Sequence, residues 1–207
     1  MCGIAGFTWN DKKLLKQMCD TISHRGPDQF GYFETKGISL GHRRLSIIDL
    51  SIKGKQPMFN EDGTIVLIFN GEIYNYKTLR AELEKCGHTF SSDTDSEVII
   101  HAYEEYGEDC VSLLNGMFAF AIWDDNSKKL FLARDRVGIK PLYYSFFDGE
   151  LIFASEIKAI LKHPDFITKI NYSALNEYFT FQNIFTFQTL FDGVIMFFTP
   201  KTLIFIV

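Results

Sequence analysis

The chain has 207 residues, of which 46% are apolar and 23% are charged, and its formal net charge at pH 7 is −5. This composition is typical of a globular protein that buries a core without disulfide bonds, and the acidic balance argues against nucleic-acid binding. The N-terminus has no secretory signal pattern, the apolar C-terminal run is too short to span a bilayer, and the four cysteines show no CxxC spacing. We therefore expect a cytoplasmic protein with free thiols and no membrane partner.

Predicted strands and helices alternate along the chain and are separated by glycine, proline and asparagine turns. The continuous apolar run at 64–69 indicates a fully buried strand that stops at Asn70-Gly71. Asn10 or Asp11 can cap the first helix. The predicted strands cover 2–9, 29–35, 38–42, 44–48, 64–69, 117–124, 129–135, 142–148 and 150–155, and the predicted helices start after the Asn10-Asp11 cap, cover 75–86, start near Asp95, and cover 108–114 and 156–162.

The order of these elements indicates an α+β protein. Strands lie at both ends of the sequence and helices in the middle, so the helices are expected to be segregated from a mostly antiparallel sheet system. Asp125-Asn126 and Asp148-Gly149 are predicted hairpin turns. After about residue 165 the sequence is rich in Phe, Asn and Thr, and its periodic pattern weakens towards residue 207.

Cys2 directly follows the initiator methionine. A cysteine attacks as the thiolate and therefore needs a base or a positively charged neighbour. If Met1 is removed, the α-amino group of Cys2 supplies such a base, since its reference pKa is about 7.7–8.0. From its position alone, Cys2 is equally compatible with a small buried residue at the start of a strand.

Asn70-Gly71 is a candidate oxyanion hole, because a side-chain amide and a backbone N–H can point together into a cleft. Asn-Gly is also the strongest short hairpin signal. The sequence after it, GEIYNYKTL, leads into a predicted helix rather than a returning strand, which weakens the hairpin interpretation.

Three charged residues could hold a free amino acid, whose carboxylate and ammonium need a fixed cation and a fixed anion. Arg44 lies beside a short apolar strand and offers a guanidinium fork. Glu72 follows Asn70-Gly71, and Asp95 stands at a predicted helix start. Two of them have a structural alternative: Arg44 could be a solvated edge charge, and Asp95 could be only an N-cap.

Eight segments together resemble the glutaminase domain of the glutamine-hydrolysing asparagine synthetases, a class II glutamine amidotransferase of the N-terminal-nucleophile (Ntn) hydrolase type. The resemblance runs from residue 2 to about 195 and implies a four-layer αββα sandwich of two mostly antiparallel sheets. The segments, in order, are MCGIAGF, HRGPD, HRRLSIIDL, FNGEIYNY, SDTDSEVI, GMFAFAIWD, ARDRVGIKPLYY and FASEIKAI.

The resemblance implies a role for each site residue. N-terminal Cys2 would attack the side-chain amide of L-glutamine, and water would hydrolyse the thioester to glutamate and release ammonia. Arg25 would support the nucleophile, and no metal or cofactor is expected in this domain. The remaining roles are an oxyanion hole at Asn70 and the Gly71 N–H, a carboxylate clamp at Arg44, lining backbone at Ile47 and Ile48, and amino-group ligands at Glu72 and Asp95. The histidines are expected to be capping or surface residues.

The same resemblance implies a larger second domain that uses ATP and Mg²⁺ to amidate aspartate, in this chain or a partner chain. The sequence has no SGGxDS-like segment for that nucleotide. We therefore expect an amidotransferase core at 2–165 and, at 166–207, the end of the domain and the start of a missing synthetase region, as in a truncated or split gene. The alternative function is a truncated or non-catalytic glutamine-binding remnant.

Overall fold

The computed structural model describes residues 1–197 and 202–206, which build two antiparallel sheets with helices on their outer faces. The first sheet has six strands and the second has five. In chain order the strands are β1 Gly3–Phe7, β2 Gln29–Thr35, β3 Ile38–Arg44, β4 Met58–Phe59, β5 Ile65–Ile73, β6 Gly116–Asp124, β7 Lys129–Arg134, β8 Tyr143–Phe147, β9 Glu150–Ala154, β10 Ile195–Met196 and β11 Thr202–Ile206. The helices are α1 Lys12–Thr21, α2 Tyr76–Lys85, α3 Glu97–Tyr106, α4 Cys110–Leu113, α5 Ile157–Ile160 and α6 Tyr172–Phe181.

Three apolar clusters separate the layers. The first sheet has the order β10-β8-β9-β1-β3-β2 and the second β11-β7-β6-β5-β4. Between the sheets lie Ile4, Val66, Trp123 and Phe153. A second cluster packs α1 and α5 on the first sheet, and a third packs α2 and α3 on the second. The predicted αββα sandwich is therefore confirmed.

Helix ends follow the predicted capping chemistry. The Asp11 side chain accepts a hydrogen bond from the Leu14 N–H at 2.9 Å and caps α1. α3 begins at Glu97, two residues after Asp95, and ends at Tyr106, where it is followed by Gly107, whose φ of 58° favours glycine. Asp95 is thus not the N-cap of α3, which is Ser96.

Two strand predictions are wrong. The strand predicted at 38–42 continues to Arg44 as β3. The strand predicted at 44–48 does not form, because residues 45–51 leave the sheet. The strand predicted to stop at Asn70-Gly71 continues to Ile73, because β6 pairs along its whole length. Gly71 permits this close pairing, since a Cβ there would lie 2.4 Å from the Met117 carbonyl oxygen. The hairpin alternative is therefore excluded.

The region after residue 165 has regular structure despite its weak pattern. β10 pairs with β8 in the first sheet, and β11 pairs with β7 over five residues at the edge of the second. The predictions that concern residues 198–201 and 207 lie outside the described residues. No helix in the described part of the chain has the length and apolar character needed to cross a membrane.

Candidate active site

A cleft of about 180 Å³ opens where β1 begins, β3 ends and β5 passes beneath the start of α3. The cleft contains both ionic groups and hydrogen-bonding groups, so it suits a small polar molecule. Arg25 is the predicted site residue that does not line it. The predicted site residues that do are Cys2, Arg44, Ile47, Ile48, Asn70, Gly71, Glu72 and Asp95.

The Cys2 thiol faces this cleft next to the residue that follows β3. Its Sγ lies 3.4 Å from the Leu45 N–H and 3.7 Å from the Leu45 carbonyl oxygen. Burial raises the pKa of the thiol above its ordinary value, although the Leu45 N–H, the N-terminal ammonium and Arg44 act in the opposite direction. Deprotonation therefore needs a local base, which a free α-amino group on Cys2 would provide.

Arg25 holds the backbone of Cys2 rather than the cleft. Its Nε donates a 2.8 Å hydrogen bond to the Cys2 carbonyl oxygen, and its Nη1 donates to Glu156 at 3.0 Å. The residue before Glu156, Ser155, accepts a 3.0 Å hydrogen bond from the Ile4 N–H through its hydroxyl. The start of β1 is thus fixed from both sides, which fits the supporting role implied for Arg25.

The edge of β5 becomes accessible where the two-residue strand β4 stops. Beyond that point, the Gln56 side chain accepts from the Phe69 N–H at 2.6 Å, and Asp95 accepts from the Ile73 N–H at 2.8 Å. Alternate residues of an antiparallel strand point to the same edge, so the Gly71 N–H lies between these two. No side chain among the described residues accepts from it, and it is therefore available as a donor in the cleft.

The Asn70 amide is buried without a partner. Only 1% of the residue is exposed, and neither Nδ2 nor Oδ1 has a hydrogen bond within the described part of the chain. Buried polar groups are almost always paired, and an unpaired one needs an explanation. A side-chain amide beside a free Gly71 N–H matches the two-donor arrangement of an oxyanion hole.

Arg44 organises the loop that follows it. Its guanidinium donates hydrogen bonds to the Ser51 carbonyl oxygen at 3.0 Å and the Ile48 carbonyl oxygen at 3.2 Å, and also to the Asp49 carbonyl. These bonds curl residues 45–51 around the charge, which is why no second strand forms there. Both terminal nitrogens are therefore engaged by the loop and by Gln29. Gly54 lies against the same guanidinium, where a Cβ would come within 2.2 Å of a terminal nitrogen.

Asp95 and Glu72 form the acidic side of the cleft. The pKa of Asp95 is raised to about 6, mainly by burial and partly by the charge of Glu72, while the hydrogen bond from the Ile73 N–H opposes the rise. A carboxylate in such a position gains from a cationic ligand. The pair therefore gives the cleft a negatively charged side.

Sequence reasoning missed several residues around the cleft. His42 is fully buried between the sheets, its Nε2 donates to the Phe69 carbonyl oxygen at 2.9 Å, and burial lowers its pKa to about 4. The expectation of capping or surface histidines is thus wrong for His42 and also for buried His101. The alternation Ile38, Leu40 places His42 on the buried face and could have revealed it. The other missed residues are Gln56, Thr94, Ser96, Met117, Lys140 and Glu156.

A glutamine amidotransferase domain model matches residues 1–206, and the chain belongs to that family. Relatives include asparagine synthetase [glutamine-hydrolyzing] 1 of Bacillus subtilis, 47% identical over 92% of this chain and 31% of the relative. Putative asparagine synthetase [glutamine-hydrolyzing] 2 of Methanocaldococcus jannaschii is 38% identical over 99% of this chain and 44% of the relative. The chain therefore spans less than half the length of these relatives.

Solved structures support the fold independently. Glutamine phosphoribosylpyrophosphate amidotransferase from B. subtilis, complexed with ADP and GMP, matches with a TM-score of 0.67 and 22% identity, over 77% of this chain and 43% of that one. The allosteric regulatory enzyme of purine biosynthesis matches with a TM-score of 0.69 and 20% identity, over 78% of this chain and 43% of that one. At these identities the likeness establishes the fold alone and nothing about substrate.

Proposed function

We propose that this chain hydrolyses L-glutamine to glutamate and ammonia, with the Cys2 thiolate as nucleophile once Met1 has been removed. The observation that carries the proposal is the unpartnered Asn70 amide beside the Gly71 N–H, in the cleft that the Cys2 thiol also lines. Two donors so placed would stabilise the negative oxygen that forms when sulfur attacks the amide carbon.

The chemistry divides into two steps. The α-amino group of Cys2 takes the thiol proton, sulfur bonds to the amide carbon, and the C–N bond breaks as nitrogen receives the proton and leaves as ammonia. Water then attacks the thioester, releases glutamate and restores the thiol. The positive charge of Arg44, which lines the cleft, would attract the substrate carboxylate, and Glu72 with Asp95 would attract its ammonium.

The wider reaction belongs to the same proposal. The longer relatives are named as glutamine-hydrolysing asparagine synthetases, so the ammonia would amidate aspartate in a synthetase domain or partner chain that binds ATP and Mg²⁺. The hydrolytic step needs no cofactor, and we place the protein in the cytoplasm. A partner of this kind fits the exposed apolar side chains of the region after residue 165, namely Ile167, Tyr172, Phe179, Phe181 and Phe185.

The decisive measurement is glutamate release from glutamine by purified protein whose intact mass shows that Met1 is absent. We expect release in the unmodified chain and its loss in Cys2→Ala, because no other thiol lines the cleft within the described residues. An electrophilic glutamine analogue should add one label to the unmodified chain and none to this variant.

Cys86→Ser is the matched control, because Cys86 is an exposed free thiol outside the cleft. It should retain both glutamate release and labelling. Folded, Met1-free protein that releases no glutamate, whether or not Cys2 is present, would establish the non-catalytic alternative instead.

A further inference from the structure

Two histidines and a glutamate meet beside α3, away from the active-site cleft. His101 and Glu104 lie three residues apart on α3, and His88 approaches them from the segment after α2. One potential ligand atom from each lies within 4.8 Å of the other two. None of the three residues lines the active-site cleft, so the cluster is separate from the proposed glutaminase chemistry.

The near sides of both imidazoles converge on one oxygen. His101 Nδ1 lies 2.8 Å and His88 Nδ1 lies 3.6 Å from the same Glu104 oxygen, Oε2. Donor atoms around a tetrahedral zinc ion, bound at about 2.0–2.2 Å, stand roughly 3.3 Å apart. One of the two separations, 2.8 Å, is shorter than this value and the other, 3.6 Å, is longer. Small side-chain rotations would therefore let an ion sit among the three atoms.

The far sides of both imidazoles face carboxylates. His88 Nε2 lies 3.3 Å from Glu105, and His101 Nε2 lies 3.9 Å from Glu97. Metal-bound histidines ordinarily present the second ring nitrogen to a carboxylate or carbonyl, which fixes the tautomer and orients the ring. Asn60 likewise donates to the other oxygen of Glu104 at 2.8 Å and holds that carboxylate in place.

The local charge also favours a cation. Among the described residues, no lysine or arginine pairs with any of the carboxylates around the two imidazoles, which include Glu61, 4.0 Å from His101 Nδ1. Glu61 also lines a surface cavity with His101, which gives an ion a route to the cluster and a further oxygen ligand. A divalent ion there would neutralise part of this excess negative charge.

From this geometry we propose a zinc-binding site formed by His88, His101 and Glu104, with Glu61 or water as the fourth ligand. The site would tie the segment after α2 to α3. Its two imidazoles and one carboxylate match the nitrogen and oxygen ligands that zinc accepts. The competing interpretation is a metal-free network in which a protonated His101 is shared between glutamates.

The two interpretations differ in direct zinc binding. Chelator-treated protein should take up one equivalent of Zn²⁺ in competition with a chromophoric chelator at neutral pH. Cobalt should give the visible absorption of a tetrahedral site without a sulfur-to-cobalt charge-transfer band. His88→Ala and Glu104→Gln should each weaken the zinc Kd by at least about 10-fold, the smallest loss typical even of second-sphere changes.

Cys86→Ser is the matched control, since this exposed thiol lies two residues before His88 and could bind metal adventitiously. The control should bind zinc as the unmodified chain does. Three results would each overturn the proposal. They are no zinc uptake at equimolar zinc, a thiolate charge-transfer band with cobalt, and a zinc Kd in both ligand variants that equals the Kd of the unmodified chain. Two single-ligand variants at exposed or half-buried positions keep the test independent of a folding defect in either.

Discussion

At the residue scale, Asn70 carries a clear expectation. Its amide makes no hydrogen bond among the described residues, so its removal breaks no native contact and relieves an unpaired buried group. Asn70→Ala should therefore lower kcat by roughly 10²–10³-fold, the usual effect of a lost oxyanion donor, and leave the melting temperature equal or higher. Steady-state glutamine hydrolysis and calorimetry measure the two quantities.

Asn75→Ala is the comparison for Asn70, because the Asn75 amide donates to the Leu113 carbonyl oxygen outside the cleft. This variant should lose stability and keep its kcat. If Asn70→Ala keeps kcat while its melting temperature falls, the amide is structural and does not belong to an oxyanion hole.

Asp95 makes the stability depend on pH. Its folded-state pKa of about 6 is above its reference value of 3.8, so the folded state favours the protonated carboxyl. The resulting stabilisation is complete below pH 3.8 and is lost as the pH rises through about 6. Compared with a residue that stays neutral, Asp95 lowers the free energy of unfolding by about 3 kcal/mol above pH 7 and by about 1 kcal/mol near pH 4.5.

Asp95→Asn tests this pH dependence and keeps an oxygen that can accept from the Ile73 N–H. We expect the variant to exceed the unmodified chain in free energy of unfolding at pH 7.5, by a margin that shrinks by about 2 kcal/mol at pH 4.5. It should also raise the KM for glutamine, since the ammonium loses its anion. Urea unfolding at both pH values measures the margin, and a margin independent of pH would contradict the raised pKa.

At the scale of the element, the loop 45–51 depends on Arg44. The guanidinium holds three loop carbonyls, and lysine cannot reproduce this fork. Arg44→Lys should therefore raise the KM for glutamine about 10-fold or more, the effect of about 1.4 kcal/mol of lost binding, and speed amide hydrogen exchange in the loop. If Arg44 acted only through its charge, Arg44→Lys would keep the glutamine KM and the loop amide exchange rates of the unmodified chain.

The neighbouring Arg43 provides the control. It lies on the same strand, but its guanidinium donates to the Cys19 carbonyl oxygen and pairs with Asp20 on the α1 side. Arg43→Lys should leave both the KM and the loop exchange unchanged. Equal effects in the two variants would assign them to β3 as a whole rather than to the Arg44 fork.

Local sequence signals predicted most elements but not where two strands end. Periodicity and the Asp11 cap located the helices before residue 165, because these signals lie within a few residues of one another, whereas α6 was not predicted. The end of β3 depends on Arg44 bonds to carbonyls up to seven residues ahead. The end of β5 depends on pairing with β6, more than forty residues later. Neither dependence is visible in a local window.

At the scale of the whole molecule, the family motifs predicted which residues meet, and the structure supplies how they are held. Cys2, Asn70 and Asp95 were expected together, and all three line one cleft. The contacts that position them were not expected. His42 bridges the sheets next to Asn70, and Glu156 fixes Arg25 behind Cys2. Such contacts join distant segments through single side chains, so spacing can show that His42 is buried but not which backbone group it contacts.

The central place of β1 in its sheet affects the order of events during synthesis. β1 is the first strand to leave the ribosome, but one of its two neighbours, β9, ends at Ala154, and the Ile4 N–H bonds to Ser155. Throughout translation up to that point the amino terminus remains outside the finished sheet and within reach of an aminopeptidase. In the completed fold, Met1 lies in the cleft with its sulfur 3.6 Å from Lys140 Nζ. The ribosome-bound stage would therefore offer an aminopeptidase the amino terminus before β1 is paired on both sides, and Met1 still keeps 56% of its surface exposed in the completed fold.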